Sequence, residues 1–278
     1  MKAAKRRAAG ARFLVFFGTF LTVFMLLGVV GYILVKGLPN ISPELFEWEY
    51  NTDNVSLMPA LINTLLMTAL SLIIAVPLGI FAAVYLAEYA RRGNRLVKII
   101  RITAETLAGI PSIIYGLFGM LFFVIALKLG MSLLAGAMTL SIMILPVIMR
   151  TAEEALIAVP DSYREGSFGL GAGRLRTVFK VVLPSAVPGI MAGVILGIGR
   201  IVGETAALLF TAGSIAKIPN SLLDSTRTLS VHMYALASEG LYVDQSYATA
   251  VVLLIIVVCI NTLSAFVAKR FGVKNGKV

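Results

Sequence analysis

Long apolar runs, cut by short clusters of charge, dominate the chain. Six runs approach the ~20 mostly apolar residues that a transmembrane helix needs. They are Phe13 to Val35, Leu57 to Ala87, the stretch between Glu105 and Lys128, the stretch between Lys128 and Arg150, Pro184 to about Ala216, and about Tyr247 to Ala268. Pro77 and Pro146 fall inside runs, where neighbouring helices and water can satisfy the carbonyls that a proline frees. The basic segment Lys2, Lys5, Arg6, Arg7, Arg12 precedes the first run with the charge of a signal peptide. A cleavable signal has an apolar core of only roughly 7–15 residues, so the pattern predicts an uncleaved first helix. The expected fold class is all-α integral membrane, with six transmembrane helices.

Composition supports lipid as the solvent. Of 278 residues, 59% are hydrophobic and 14% charged, against roughly 25% charged in soluble domains. The net charge of +10 sits in clusters between the runs, which reads as topogenic charge rather than a nucleic-acid surface. With a cytoplasmic N-terminus, the inside segments (the N-terminus, 88–105, 150–184 and the C-terminus) hold 19 of the 24 Lys and Arg. The outside segments hold Lys36, Lys128, Lys217 and Arg227, and Arg200 lies within a span. That asymmetry predicts that both termini are cytoplasmic. Outside, residues 36–56 carry Glu44, Glu47, Glu49, Asp53 and an anchoring Trp48; residues 217–246 hold the only histidine, His232, read as a polar surface residue. No repeat or low-complexity segment is visible. One membrane domain is expected at 57–270, preceded by a first helix and loop at 1–56 and followed by a tail at 271–278.

Much chemistry is absent. There is no G-x-x-x-x-G-K-[ST] loop, H-E-x-x-H, C-x-x-C or G-x-S-x-G, and Gly169, Gly171 and Gly173 do not follow a strand. Cys259 is alone, which closes disulfide and zinc frameworks. No means of hydrolysing a nucleotide is visible, so the chain reads as no enzyme, with no metal site.

The inside loop at 150–184 is polar and organised. Pro160 favours a helix start just after it, and the glycines favour a stop at 169–173. A short helix exposing Tyr163 and Phe168 follows. Taken alone, it could be an amphipathic connector on the membrane. The loop resembles the cytoplasmic pattern of membrane subunits of ATP-binding-cassette importers: E-A-A, three residues, G, nine residues, I, one residue, L-P. Here Glu165-Gly166-Ser167 is followed after three residues by Gly171, and nine more lead to Val181, then Leu183-Pro184. Gly166 and Ser167 replace the alanines and Val181 the isoleucine. The resemblance implies a type I importer permease fold, and a coupling helix that docks in the groove of a separate ATPase, with Gly171 at its exit turn.

The fifth run carries glycines at Gly189, Gly193 and Gly197, with Gly199 and Gly203. Small residues four apart let two membrane helices approach closely. At roughly 100° per residue, Arg200 lies about 20° from Gly193 and Glu204 about 20° from Gly197. Arg200 and Glu204 are themselves four apart, close enough to pair. A charge at the bilayer centre costs ~2.5–3.5 kcal/mol. The pair therefore reads as part of a substrate pathway or as a buried lock between two helices.

The string from Gly199 to Gly213, Gly-Arg-Ile-Val-Gly-Glu-Thr-Ala-Ala-Leu-Leu-Phe-Thr-Ala-Gly, is similar to the signature of phosphate-importer permeases, of the PstA type rather than its PstC-type partner. Asn63-Thr64-Leu65, Pro77-Leu78-Gly79-Ile80, the stretch Glu105 to Ser112, Leu145-Pro146 and Arg150-Thr151 with Glu153-Glu154 agree. The resemblance spans about 57–270. It implies a bacterial or archaeal inner-membrane subunit working by alternating access, with a PstC-type permease, an ABC ATPase dimer that uses ATP, and an extracytoplasmic phosphate-binding protein, all set in membrane lipid. Arg200, Glu204 and Thr205 would face the pathway, with Arg150 either joining them or acting as a topogenic charge. Ser112, Thr139 and Thr211 could add hydroxyls, or simply bond backbone carbonyls. Moving an anion into a negative cytoplasm costs ~2.3 kcal/mol per charge per 100 mV, which calls for a motor. The rivals are a permease for sulfate, molybdate or another solute, an ion-coupled transporter with Arg200 and Glu204 as a proton relay, and a membrane scaffold.

Overall fold

The computed structural model describes the backbone of residues 2–91 and 93–275 and the side chains of 12–91 and 93–266. The basic residues Lys2, Lys5, Arg6, Arg7 and Arg92 and the end of the tail lie outside the described side chains. All regular structure among the described residues is helical. Five helices are long and apolar enough to cross a membrane, and a sixth crossing exists if one sharply bent pair counts as a single span.

Helix α1 (Lys2–Gly37) leads, through short 3-10 turns at Leu38–Asn40 and Pro43–Phe46, to α2 (Met58–Val84), which continues as a π-turn over Tyr85–Tyr89. The third run is where the structure departs from a straight span. It forms α3 (Arg95–Ala108) and α4 (Ser112–Gly119), the latter extended by a π-segment to Ala126, and the two are bent by 102°. Pro111 lacks an N–H and biases the residue before it away from helix, so α3 stops at Ala108. The 8 and 7 residues after the bend reach at most about 22 Å, short of a ~30 Å hydrocarbon core. They pack inward instead, Gly116 against Ala207 and Gly119 against Thr139 and Thr211.

Helix α5 (Leu133–Ile157) is the pillar of the bundle. Ser132 accepts a hydrogen bond from the Ala135 N–H and starts it, and it runs two turns beyond Arg150 rather than ending there. Leu140, Met143, Ile144 and Ile148 are fully buried along it, against Met67, Ile201 and Leu208. Toward the other end, Met149, Ala152 and Leu156 pack with Val84, Leu86, Val97, Val178 and Val182. Beyond α5 the chain is less loop-like than its polarity suggests. Helix α6 (Asp161–Gly169) follows a short link, and Gly171, at φ +81°, turns the chain out of it. Helices α7 (Arg174–Thr177) and α8 (Leu183–Val202) are joined by a π-turn, so the fifth crossing starts at Arg174 and ends at Val202, earlier than the run to Ala216 suggested. A break at Gly203–Thr205 precedes α9 (Ala206–Thr211). Helices α10 (Leu229–Glu239) and α11 (Val243–Asn275) complete the chain. Helix α1 is peripheral and lies along α11, where Tyr32 meets Tyr247 edge-on at 5.8 Å.

The glycine stripe of α8 packs on α5 as the spacing predicts. A Cβ at Gly189 would meet Ala155, and one at Gly193 would overlap Thr151. At Gly197 the nearest atom, Ile148 Cδ1, would be 3.6 Å away, an ordinary contact. The two positions therefore separate. Gly193→Ala should destabilise by about 1–3 kcal/mol through overpacking, whereas Gly197→Ala should be neutral or stabilising, since alanine is the better helix former by about 1 kcal/mol. Thermal unfolding of the two purified variants in detergent checks this; equal midpoints would remove the close α5–α8 approach as the reason for the stripe.

Candidate functional site

The break after α8 is where the sequence places its ionisable pair, and the structure does not pair them. Helix α8 ends one turn after Gly199, so Glu204 no longer sits one helical turn above Arg200. Glu204 is 8% exposed, and its carboxylate accepts from the Ala207 N–H at 3.0 Å, holding the start of α9. Its carbonyl accepts from the Ser230 hydroxyl at 2.5 Å. One carboxylate oxygen is thus engaged by backbone that the break releases. Arg200 is half-buried and forms no hydrogen bond or ion pair with a described residue; Tyr115 lies within electrostatic reach of its guanidinium. Tyr115 itself donates to the Leu107 carbonyl at 2.8 Å, closing the other break. Thr205 is half-buried beside this site. Thr139 and Thr211 donate to the carbonyls four residues back, Ala135 and Ala207, both at 2.8 Å, so their hydroxyl protons are already engaged. Ser112 is half-buried at the start of α4.

Arg150 sits apart from this group. It is exposed, and binds Glu154 at 3.0 Å and Glu105 at 3.5 Å. The same end of the bundle holds two tighter pairs that the sequence reading did not single out. Arg101 Nε donates to buried Glu153 at 2.9 Å. Arg164, on α6, donates to Glu88 at 2.6 Å, to the Leu156 carbonyl at 2.9 Å, to the Val159 carbonyl at 2.7 Å and to Asp161 at 3.2 Å. Arg174 donates to the Glu88 carbonyl and stacks over Tyr89, 5.0 Å from the ring centre. Ser167 shares a 2.8 Å hydrogen bond with Thr177. Helix α6 is therefore fastened at once to the π-turn that ends α2, the end of α5 and the end of α7. The faces left open carry Tyr163, Glu165, Gly166 and Phe168, while Ser167, Leu183 and Pro184 are half-buried. The one available sequence signal was Glu88 ending an apolar run, with an arginine inside the organised loop.

The lone histidine corrects its sequence reading. His232 is fully buried, and neither ring nitrogen has a hydrogen-bond partner among the described residues. It meets Tyr50 edge-on at 6.0 Å, and the buried Arg227 lies 4.7 Å over the same ring. Burial first, then the Arg227 charge, push its pKa down to about 3, while the Val55 backbone opposes the shift. The ring is neutral because a second cation in this pocket would be both desolvated and repelled.

Residues 75–274 match the family described as binding-protein-dependent transport system inner membrane component. The chain belongs to this family. Its relatives include a probable ABC transporter permease protein of Bacillus subtilis, 34% identical over 79% of this chain and 80% of that one. The phosphate transport system permease protein PstA of Haemophilus influenzae is 32% identical over 86% of each. A probable phosphate transport system permease protein PstA of Methanocaldococcus jannaschii is 30% identical over 92% of this chain and 90% of that one. Among solved structures, the MetNI methionine ABC transporter in inward-facing conformations superposes with a TM-score of 0.60 at 22% identity, over 77% of this chain and 93% of that one. A bacterial alginate ABC transporter in complex with its pentasaccharide-bound periplasmic protein gives 0.61 at 16%, over 91% and 95%. These share the fold of type I ABC importer permeases. As a member of this family, the chain is a multi-pass membrane component of a transport system.

Two predictions follow the geometry. Replacing Arg164 by leucine leaves Glu88 buried and unpaired, which should cost roughly 3 kcal/mol or more; the Arg164→Leu, Glu88→Leu pair should recover much of it. Thermal unfolding of the single and double variants reads this, and additive losses would mean that the pair is not coupled. For His232, the unfolded chain protonates near pH 6.5 while the folded chain does so only near 3. Between these values the unfolded state binds more protons, so stability falls as pH drops, by up to about 1.4 kcal/mol per unit below about 6.5. His232→Phe should flatten that part of the unfolding-against-pH curve, and an unchanged slope would assign the acid sensitivity elsewhere.

Proposed function

We propose that this chain is the PstA-type permease subunit of an ATP-driven phosphate importer and forms the translocation pathway with a PstC-type permease. The observation that carries the reading is the Arg200 guanidinium: permanently charged, half-buried in an apolar bundle at a helix break, and neutralised by no described carboxylate. A cation held this way costs the fold a few kcal/mol and is available to a passing anion. Its planar fork matches a pair of phosphate oxygens. The relatives named as phosphate permeases supply the substrate that the charge alone does not name.

The rest of the machine follows from the same reading. An extracytoplasmic phosphate-binding protein delivers the anion to a cavity between the two permeases. Glu204 and Thr205 shape the break and keep Arg200 exposed to that cavity, and Arg150 stands at the inner mouth. An ABC ATPase dimer receives the open face of α6, with Glu165, Gly166, Ser167 and Gly171 at the contact and Leu183-Pro184 at its base. That dimer hydrolyses the ATP; this chain, without a phosphate loop, does not. Both termini face the cytoplasm, since 19 of the 24 Lys and Arg lie in segments on that side. ATP-driven closure of the ATPase moves α6, and Arg164 passes that motion to α2 through Glu88.

The test is uptake of labelled phosphate by cells or proteoliposomes carrying Arg200→Ala. Losing a charged hydrogen bond of about 1.5–3 kcal/mol should reduce uptake roughly 10- to 100-fold. The ATPase should still co-purify, and Arg200→Lys should restore part of the rate. Normal uptake by Arg200→Ala would remove the residue from the pathway. Uptake of sulfate or molybdate in preference to phosphate would keep the architecture and change the cargo.

A further inference from the structure

The link between α2 and α3 borders an open cavity of about 590 Å³ that the transport reading leaves unused. Among the described residues, four cations line it: Arg91, Arg95, Lys98 and Arg101. Arg101 is neutralised by Glu153. Arg91, Arg95 and Lys98 make no side-chain hydrogen bond or ion pair with a described residue, and all three are exposed. Their position is electrostatically adverse. Arg95 and Lys98 occupy the first turn of α3, with no acidic residue there, and the partial positive charge of a helix N-terminus adds to theirs. The positive-inside bias places these charges at this end but does not ask that they gather around one cavity; an anion there would relieve their repulsion.

The walls say what kind of anion. Leu86, Ala87, Ala90, Val97, Ile102 and Ile157 make them apolar between the charges. Exposed Tyr85 and half-exposed Tyr89 end the α2 crossing just above, where aromatic side chains mark a membrane–water interface. The far side of α3 exposes Leu96, Ile99 and Ile100, so the helix has the basic and apolar faces of one lying in that interface. The volume falls within the ~300–1,000 Å³ of sites for organic ligands and exceeds what a bare oxyanion needs.

We propose that this cavity binds a phosphate-type anion, supplied either as the headgroup of an anionic phospholipid or as free inorganic phosphate. The inference rests on the cytoplasmic placement of this end, and not on phosphate being the transported cargo. The test uses the full chain, purified with its associated subunits, and the triple variant Arg91→Gln, Arg95→Gln, Lys98→Gln, with Lys98→Gln alone as the milder change. In the lipid arm, nanodiscs of phosphatidylcholine containing increasing phosphatidylglycerol are formed around each protein, and the lipid retained after extraction is weighed by native mass spectrometry. In the phosphate arm, equilibrium dialysis measures binding of labelled inorganic phosphate, with Arg200→Ala included so that the pathway is separated from the cavity.

Binding should weaken about five-fold for each cation removed, roughly a hundred-fold for the triple variant. Selective phosphatidylglycerol retention lost in the triple variant identifies the lipid source. Saturable phosphate binding lost in the triple variant but kept by Arg200→Ala identifies the free anion. If neither ligand binds better to the wild type than to the Lys98→Gln and triple variants, the proposal is overturned. It is equally overturned if the only effect is loss of the co-purifying ATPase, which would make the cavity a protein contact.

Discussion

A helix that stops inside a membrane releases backbone N–H and C=O groups where no bulk water can take them up, and each one left bare costs several kcal/mol. The chain stops twice, at Gly109–Pro111 and at Gly203–Thr205, and its central architecture is the set of contacts that make those stops possible. At the first, the Tyr115 hydroxyl takes the Leu107 carbonyl, while the Gly109 and Ile110 N–H groups turn back to Thr106 and Leu107. At the second, Glu204 takes the Ala207 N–H and Ser230 takes the Glu204 carbonyl. The two repairs meet, because α4 and α9 pack through Gly116 against Ala207. Loop 212–227 then folds over the start of α5, where Ser132, Leu133 and Leu134 donate to Thr211, Asp224 and Leu222. The irregular backbone at both breaks is held by contacts from within the protein.

That constraint accounts for the division of labour between two charged residues only four apart. Glu204 holds the broken backbone through one carboxylate oxygen, and the end of α8 at Val202 takes it off the helical turn that would set it beside Arg200. The arginine is left next to the interruption without an ion-pair partner among the described residues. A continuous helix through 199–206 would have permitted the pair and cancelled the charge. Breaking the helix thus removes the ion pair that an unbroken helix would permit, which is what the proposed role of Arg200 requires. The other end of the bundle follows the opposite rule. There the carboxylates Glu88 and Glu153 are buried and each has its arginine, since a buried carboxylate left without its partner is strongly destabilising.

Most of the scaffold was legible in the sequence. Five crossings announce themselves as long apolar runs, and the positions of α6 and its exit turn follow from Pro160 and Gly171. The Gly189, Gly193, Gly197 stripe identified the α8 face that meets α5. What failed to show was anything that depends on a partner distant in sequence. Apolar periodicity cannot tell that residues 105–128 bend by 102°, because the apolar residues continue through Gly109-Ile110-Pro111 without a change of character. Nor can it tell that α3 is a separate amphipathic helix. The expected Arg200–Glu204 pair failed for the same reason: the spacing argument assumed an unbroken helix, and the break is set by contacts to Ser230 and α4. His232 was misread because its polarity was judged from the 217–246 segment in which it lies, while its burial comes from Tyr50 and the Val55 loop, some 180 residues away in sequence.

These misreadings share a cause that bears on how the site works. In a membrane bundle the lipid-facing surface and the interior are equally apolar, so hydrophobicity marks which segments enter the bilayer and says little about what they do there. Information about function is concentrated in the exceptions: a proline at 111, glycines at 199 and 203, and single charges at 88, 153, 200 and 204. Each exception is expensive in isolation and tolerable only when something elsewhere in the chain answers it. Glu88 is answered by Arg164, Glu153 by Arg101, Glu204 by the backbone of α9 and Pro111 by the turn around Leu107. Arg200 is the member of this set that no described residue answers with a hydrogen bond or a counter-charge, and that imbalance, rather than its mere presence in a span, is the reason for proposing it as the group that meets the transported anion.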